Sequence, residues 1–592
     1  MHARPILLKA VARPIACLLF GWPGLLVANA QAGGQAEEVA IRVNQIGYYS
    51  QGDKIAVVSG QQVGTWFFIK DVFTDSVVFT GKLDSAAYWP YSHEWARQAN
   101  FSAFTTPGRY VVQVQGVSAP SASFAIGHHV LAELSKASAK AFYFNRASAA
   151  LPAQFAEHWQ RAAGHPDTRV LIHHSAATPA RPAGTVVASS KGWYDAGDYN
   201  CYVVNSGITM HSLLSAYEHF ASYFDTLNLH IPESQNHLPD LLDEAKWNLD
   251  WMLTMQDPND GGVYHKKTTA AFCGAVMPQA DTATRYLVAK STAASFDFAA
   301  VMAMAYRVYH KFEPAFARRC LQAAKLAYAW GLANPAVYFK NPPGISTAEY
   351  GDRNTTDERE WAATELYIST NDDGYYAESF KPATEYGLPS WANVRTLGLL
   401  SLAYHKKRLT PLGSRDTSAV KEKIISFCSG VLAHKNNDPY GTCMGKNGNA
   451  DFNWGGNSNA LNYSVLSLMA YQLTGQHDYL SLAVSGADYV LGRNATGYCF
   501  VTGFGTRQVM HPHHRPSFAD GVTAPVPGWL AGGPNTNAQQ DCGAAAYPSS
   551  AYRAISYIDN WCSYSTNEVA INWNAPLVYV AGALQVLMAG KP

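Results

Sequence analysis

A chain of 592 residues that is 48% apolar and only 15% charged can bury a large core, which excludes disorder along its whole length. Lys plus Arg and Asp plus Glu both number 44, so nothing in the net charge supports a nucleic-acid or anionic-membrane partner, and a neutral substrate fits better. Aromatic residues reach 12%; their flat apolar faces and polar tips suit either a packed core or a groove that stacks on sugar rings.

Residues 1–32 read as a signal peptide. Arg4, Lys9 and Arg13 form a basic start, Ile15 to Val27 an apolar run broken by Gly and Pro, and Ala28, Ala30 and Ala32 an A-x-A cleavage pattern. The run is too short and interrupted to span a membrane, so a secreted or periplasmic protein is expected. Cys17 leaves with this segment. The remaining cysteines contain no C-x-x-C pair. Cys428–Cys443 and Cys542–Cys562 are candidate disulfides from their short separation, with buried free thiols equally compatible.

Residues 38–127 carry strand signals. Ile41 and Val43 alternate with Arg42 and Asn44, Ile55 to Val58 and Trp66 to Ile69 are short apolar runs, and Tyr110 to Val114 follows the turn signal Pro107-Gly108. Several short strands in such a stretch predict a small β-sandwich. From residue 130 to 592 the period becomes helical. Leu238, Leu241, Leu242, Ala245, Leu249, Met252 and Leu253 share one face, and similar runs lie near 130–148, 204–222, 292–310, 316–333, 356–370, 417–434, 457–475 and 567–589. Almost no strand-like run separates them, which excludes an alternating β/α barrel and leaves a helical solenoid or a closed α/α barrel. No fixed repeat is visible, which weakens the solenoid.

Three loops carry chemistry-bearing residues. Gly192-Trp193-Tyr194-Asp195-Ala196-Gly197-Asp198-Tyr199 places two carboxylates three residues apart just before a helix, a pattern that also suits a helix N-cap with an acidic first turn. Tyr564-Ser565-Thr566-Asn567-Glu568 puts an acid where an apolar helix begins, with Ser565 or Thr566 as the alternative structural cap. His511-Pro512-His513-His514-Arg515-Pro516 follows a Gly-rich turn. Its histidines match no zinc spacing, so donors to hydroxyl groups are the better reading.

In order and separation these segments resemble the glycoside hydrolase family 9 cellulases. The D-A-G-D loop is joined by Val501-Thr502-Gly503-Phe504-Gly505, by His513-His514-Arg515-Pro516-Ser517 and by Asn567-Glu568-Val569-Ala570-Ile571-Asn572-Trp573-Asn574-Ala575-Pro576-Leu577. Ile41-Arg42-Val43-Asn44-Gln45-Ile46-Gly47-Tyr48 looks like the start of the immunoglobulin-like domain that precedes many of these catalytic domains. The resemblance implies a mainly α fold, an (α/α)6 barrel after a small sandwich. It also implies inverting hydrolysis of β-1,4-glucosidic bonds in a β-glucan, with Asp198 as base, Asp195 helping to hold the water, and Glu568 as acid. His513 and Arg515 would contact the sugar beside the scissile bond, and Trp573 would line the groove. Such chemistry needs a protonated carboxyl at the leaving oxygen and a carboxylate on the opposite face, roughly 6.5–9.5 Å apart. The Glu568 carboxyl is expected to be pushed up by apolar surroundings such as Trp573.

Two departures from the family pattern stand near the site: Cys201 where Lys is frequent, and Trp573 where some members have Tyr. Either is expected to alter sugar preference. No cofactor is required for the chemistry. Gly351, Asp352, Asp357 and Glu358 resemble a family calcium site, helix-capping acids being the alternative at Asp357 and Glu358. Zinc is not expected, because the stretch that holds it in some relatives has no Cys here and only His165, His173 and His174 nearby. A monomer acting internally on the polymer is the expectation. The alternative is an exo-acting enzyme trimming cello- or glucosamine oligosaccharides, with residues 518–560 blocking one end of the groove. The amino-terminal module reads as a brace, since its sequence offers no evident aromatic strip.

Overall fold

The computed structural model describes residues 39–61 and 63–589, so the signal-peptide reading lies outside the described residues. Nine short strands form the sandwich: β1 Ala40–Arg42, β2 Gly47–Tyr49, β3 Ile55–Ser59, β4 Trp66–Asp71, β5 Val77–Lys82, β6 Ala87–Trp89, β7 Glu94–Asn100, β8 Gly108–Val114 and β9 Phe124–Gly127. One sheet runs β1-β3-β7-β6 and the other β2-β9-β8-β4-β5. Strand alternation sends Phe67, Ile69, Tyr110 and Val112 into the space between the sheets, where they meet Tyr48, Phe101 and Phe124.

Trp89 on β6 and Ala96 on β7 point the other way and join the core of the helical part. Polar side chains complete this junction. Asn44 Nδ2 donates to Asp488 Oδ1 (2.8 Å), Gln45 Oε1 accepts from the backbone of Thr506 (2.9 Å) and Arg507 (2.8 Å), and the Trp89 indole donates to Asp438 Oδ2 (2.8 Å). The Asn44-Gln45 pair in the sandwich's opening motif is therefore a docking device. Buried and fully paired, it costs little to desolvate and fixes one arrangement.

The long helices are α1 Ala132–Phe144, α2 Val203–Phe224, α3 Asp240–Thr254, α4 Thr292–Tyr309, α5 Pro314–Ala333, α6 Thr356–Thr370, α7 Arg395–His405, α8 Thr417–Asn437, α9 Gly456–Thr474, α10 His477–Val490 and α11 Ile571–Met588. Contacts run α2–α4–α6–α7–α9–α11 and back to α2, which closes an inner ring of six. Helices α1, α3, α5, α8 and α10 pack outside it, and the short helix Asp373–Tyr376 takes the sixth outer place beside α6. The inner helices are buried almost all round, as α4 shows with Phe296, Phe298, Val301, Met302 and Met304 among alanines. Ser291 caps α4 by accepting from Ala294 N (3.1 Å).

Helices α7 and α10 lie where the periodicity reading marked none. Five strands of two or three residues also appear among the helices: β10 Val170–Ile172, β11 Val186–Val187, β12 Cys201–Tyr202, β13 Lys266–Thr268 and β14 Tyr286–Leu287. They form one sheet, β11-β10-β14-β13-β12, too short per strand to leave an alternating pattern. Its edge strand β12 directly follows the D-A-G-D loop. Cys542 and Cys562 are disulfide-bonded. Cys428 and Cys443 are not: each is a free, buried thiol, so short sequence separation was misleading for that pair.

Candidate active site

At the open end of the barrel a cavity of about 900 Å³ is lined by Asp195, Asp198, His513, Arg515, Glu568 and Trp573 together with Tyr350, Trp391, Trp454 and Phe272. Asp195 and Asp198 lie in the loop ahead of β12, not in the first turn of a helix, because β12 intervenes before α2. Glu568 also departs from its expected place. It follows the short helix Tyr564–Asn567 in extended conformation (φ −70°, ψ 154°), and α11 begins only at Ile571. Ser563, rather than Ser565 or Thr566, caps that short helix. None of the three acids is spent on capping a helix.

Backbone bonds lock the three segments together. Ile571 N donates to Asp195 O (2.8 Å), His513 N to Asn567 O (2.8 Å), and Gly197 N to Glu568 Oε1 (3.4 Å). Gly197 is required by the close approach: a Cβ there would sit 2.3 Å from the His513 carbonyl oxygen, a backbone atom that cannot yield. The Arg515 guanidinium holds the same loop, donating to Gly197 O (2.6 Å) and Cys273 O (3.0 Å). Arg515 thus braces the Asp198 loop while also lining the cavity.

The three carboxylates have different surroundings. Asp195 is buried, with both oxygens accepting from Asn205 Nδ2 (2.9 Å each) and Oδ2 also accepting from Tyr350 OH (3.0 Å). Burial and the neighbouring Asp198 charge push its carboxyl well up. Asp198 collects its bonds on one oxygen: Oδ2 accepts from Asn200 Nδ2 (2.6 Å), Asn200 N (3.3 Å) and Tyr202 OH (3.1 Å). Among the described residues Oδ1 accepts no protein hydrogen bond, which leaves it for a water. Glu568 reaches the cavity and accepts from the Trp454 indole at Oε2 (3.3 Å). Burial first, then the charges of Asp198 and Asp195, push its carboxyl up to about 8. The rise was expected from Trp573, yet two acidic neighbours supply a share that apolar walls alone would not. Glu568 is therefore protonated at neutral pH.

His513 stacks on Trp561 with ring centroids 4.4 Å apart, and its Nδ1 lies 2.8 Å from Trp561 O. A carbonyl can only accept, so Nδ1 carries the proton. Burial holds the ring below the usual histidine range, and Nε2 is left as an acceptor for a hydroxyl. His514 is buried and engaged with Ser517 Oγ (2.8 Å) and Asn145 Oδ1 (3.0 Å), a structural role. Cys201 is buried behind the site, outside the cavity lining. Trp573 lies against Gly455, where a Cβ would meet its ring at 2.4 Å.

Asn200, Tyr202, Asn205, Tyr350 and Trp454 escaped the sequence reading. Asn205 had a signal, a polar residue amid the apolar run Val203-Val204-Asn205-Ser206-Gly207-Ile208, and Trp454 stood beside Gly455-Gly456. Tyr350 had none: it comes from the loop singled out for calcium.

Asp357 and Glu358 occupy the first turn of α6, where Asp357 Oδ2 accepts from Val394 N (2.9 Å). Among the described residues both Glu358 carboxylate oxygens are buried without a hydrogen-bond partner, and so are both oxygens of Asp297 on α4, a residue the sequence did not offer. Burial pushes both carboxyls well up, the charges of Asp357 and Asp352 adding to each and that of Asp297 adding to Glu358. Four orphaned anionic oxygens fit a hard cation. No three His, Cys, Asp or Glu side chains converge on one point among the described residues, so such an ion would draw its other ligands from backbone oxygens and water. His165 is engaged with Tyr194 OH (2.9 Å) and Asp281 (3.3 Å).

A cleft lined by several carboxyl groups, one of them pushed up to about 8, has the acid and base that hydrolysis of a glycosidic bond needs. The chain belongs to glycosyl hydrolase family 9, whose sequence profile matches residues 132–581, and the profile of the cellulase N-terminal Ig-like domain matches residues 36–119. It is 45% identical to the xyloglucan-specific endo-β-1,4-glucanase of Bacteroides ovatus, over 96% of this chain and 98% of that relative. It is 33% identical to endoglucanase D of Acetivibrio thermocellus, over 91% of this chain and 82% of the other. A solved Bacteroides ovatus family 9 structure superposes with a TM-score of 0.86, covering 93% of this chain and 99% of that one. The protein is an endo-β-1,4-glucanase of the inverting kind, acting on a polysaccharide.

Proposed function

We propose that Glu568 is the general acid and Asp198 the general base of this glucanase. Glu568 protonates the glycosidic oxygen as the bond to the anomeric carbon breaks. A water on Asp198 Oδ1 attacks the opposite face, giving its proton to the carboxylate and inverting the anomeric centre. Asp195 is a positioning residue, held by Asn205 and Tyr350, while burial first and the charge of Asp198 next keep Glu568 protonated. His513 Nε2 accepts from a sugar hydroxyl, and Trp573 and Trp454 offer ring faces to the backbone. The observation that carries this reading is Glu568, pushed up to about 8, lining the same cavity as Asp198 with its one free oxygen.

The same reading extends to a branched glucan. The relative from Bacteroides ovatus is xyloglucan-specific, and the cleft wall here includes Ala196, Ala348, Ala392, Ser346, Ser390 and Ser458, small side chains that leave lateral room. None of residues 518–560 lines the cavity, which supports an open groove over the blocked groove of an exo enzyme. The disulfide Cys542–Cys562 supports export to an oxidising compartment. A monomer with a structural calcium at Asp297 and Glu358 completes the proposal. The test is the product profile over time on cellopentaose and on xyloglucan. Two- and three-unit products from the earliest samples, with faster loss of xyloglucan viscosity than of an unbranched cellulose derivative, are expected. Glucose released one unit at a time would overturn the roles given to the open cleft, and indifference to branching would overturn the substrate.

A further inference from the structure

The sandwich read as a brace without an aromatic strip, but its fold assembles one. Tyr88 on β6 and Trp95 on β7 are directly opposed cross-strand partners, and both rings stay exposed, at 41% and 38%. Their neighbours Trp89 and Ala96 alternate to the other face and anchor the sheet on the barrel. The ring centroids of Tyr88 and Trp95 are 5.9 Å apart, and Tyr88 lies 5.6 Å from His93, with its hydroxyl bonded to His93 Nδ1. His93, in the left-handed region at φ 60°, stacks on Tyr552 of the catalytic domain at 4.5 Å and 12°. Three exposed rings of the sandwich and the half-buried ring of Tyr552 thus adjoin one another across the two domains.

Hydrogen bonds tie the segment that carries Tyr552 to a wall of the cleft. After Tyr552, Arg553 Nη1 donates to Asn449 O (3.2 Å) and Phe452 O (3.3 Å), while Ala554 N donates to Tyr91 O (3.0 Å). The two residues following Phe452 are Asn453 and Trp454, which line the cleft, and Trp454 bonds Glu568. Large exposed rings on a domain whose own core is complete have no packing purpose. The ring planes are tilted or edge-on to one another, so an apolar ring face sits beside the hydroxyl and imidazole tips, which supply hydrogen-bond partners.

We propose that Trp95, Tyr88, His93 and Tyr552 form a second glucan-binding surface that holds the polymer outside the cleft and leads it toward the wall carrying Trp454. Its ligand is a neutral β-1,4-glucan backbone long enough to extend beyond the catalytic groove. This rests on the protein's glucanase activity, and the inactive background used to test it rests on Glu568 as the acid.

The test compares the enzyme with its Tyr88→Ala/Trp95→Ala double variant, and with Trp95→Ala alone should the double variant fold poorly. Retention in native gels cast with hydroxyethylcellulose is measured in a Glu568→Gln background, so that no hydrolysis intervenes. The expected result is roughly tenfold weaker retention for the double variant and roughly threefold for the single, as for rings each contributing a modest stacking energy. In the active background kcat/KM should fall on hydroxyethylcellulose and stay unchanged on cellotetraose, too short to reach both surfaces. Trp66→Ala, an exposed ring elsewhere on the sandwich, should change neither. Equal retention of parent and variants would overturn the proposal, as would equal losses on polymer and tetramer. Absence of hydrolysis by the unaltered enzyme would count against the cleft reading alone, because retention is read without turnover.

Discussion

Two groups of buried carboxylates sit in this barrel, and their hydrogen bonding separates them. In the cleft Asp195, Asp198 and Glu568 are fitted with donors: Asn205 and Tyr350, Asn200 and Tyr202, Gly197 N and the Trp454 indole. On α4 and α6, Asp297 and Glu358 have none, with all four oxygens buried and unpartnered. Desolvated anions without donors are costly, so the second group has the unmet hydrogen-bonding need that the proposed cation would satisfy, whereas the first is already supplied with donors. Burial raises carboxyls in both. A raised carboxyl alone therefore does not identify a catalytic acid; donors and an open cavity beside it do.

The sharpest way to break this contrast is Glu568→Gln. Removing the transferable proton should lower kcat on unactivated polymer by about 10²–10⁴-fold, the range of general acid catalysis. Stability should move the opposite way. The carboxyl is ordinarily near 4.5 and stands at about 8 in the fold, so its contribution is intact below 4.5 and is lost as pH rises through 8. The amide should then melt higher than the parent at pH 9 and level with it at pH 4. A rate loss below tenfold would place the proton donor elsewhere.

Asp195→Asn asks whether the cleft acids act as one electrostatic unit. A loss of roughly 10–10²-fold is expected, smaller than for the acid itself. The diagnostic is the basic limb of kcat/KM, set near pH 8 by Glu568. With one anionic neighbour removed, Glu568 ionises more readily and the limb should shift to lower pH. A limb that stays in place would leave Asp195 only a structural part.

Much of this was legible in the chain. Long helices announced themselves through a 3.6-residue period, and the D-A-G-D and N-E-V-A loops through acids flanked by glycine or apolar residues. What stayed hidden was pairing across sequence distance. Asp195 meets Tyr350 155 positions away, and Glu568 meets Trp454 114 positions away. Asp297 looked like one polar residue in the run Ser295-Phe296-Asp297-Phe298, and only the ring closure set it beside Glu358. Tyr88 and Trp95 became a pair through the register of β6 and β7. Short elements such as β10 to β14 escaped because two or three residues carry no period.

The smallest expected effect concerns the second carboxylate group. If Asp297 and Glu358 hold calcium, a chelator should lower Tm by roughly 2–5 °C, and added calcium should restore it by mass action on the folded state. Asp297→Asn/Glu358→Gln should abolish that response. The double variant loses the cation but also the repulsion between two buried anions, so its Tm without calcium should not fall below that of the chelated parent. The rate on cellotetraose should change less than twofold, since neither residue lines the cleft. A melting temperature indifferent to calcium would leave two unpaired carboxylates that must then share protons. Calorimetry in buffers of pH 5 and pH 8 separates the cases: protons stabilise that state at the lower pH, whereas a cation competes with them and stabilises most at the higher.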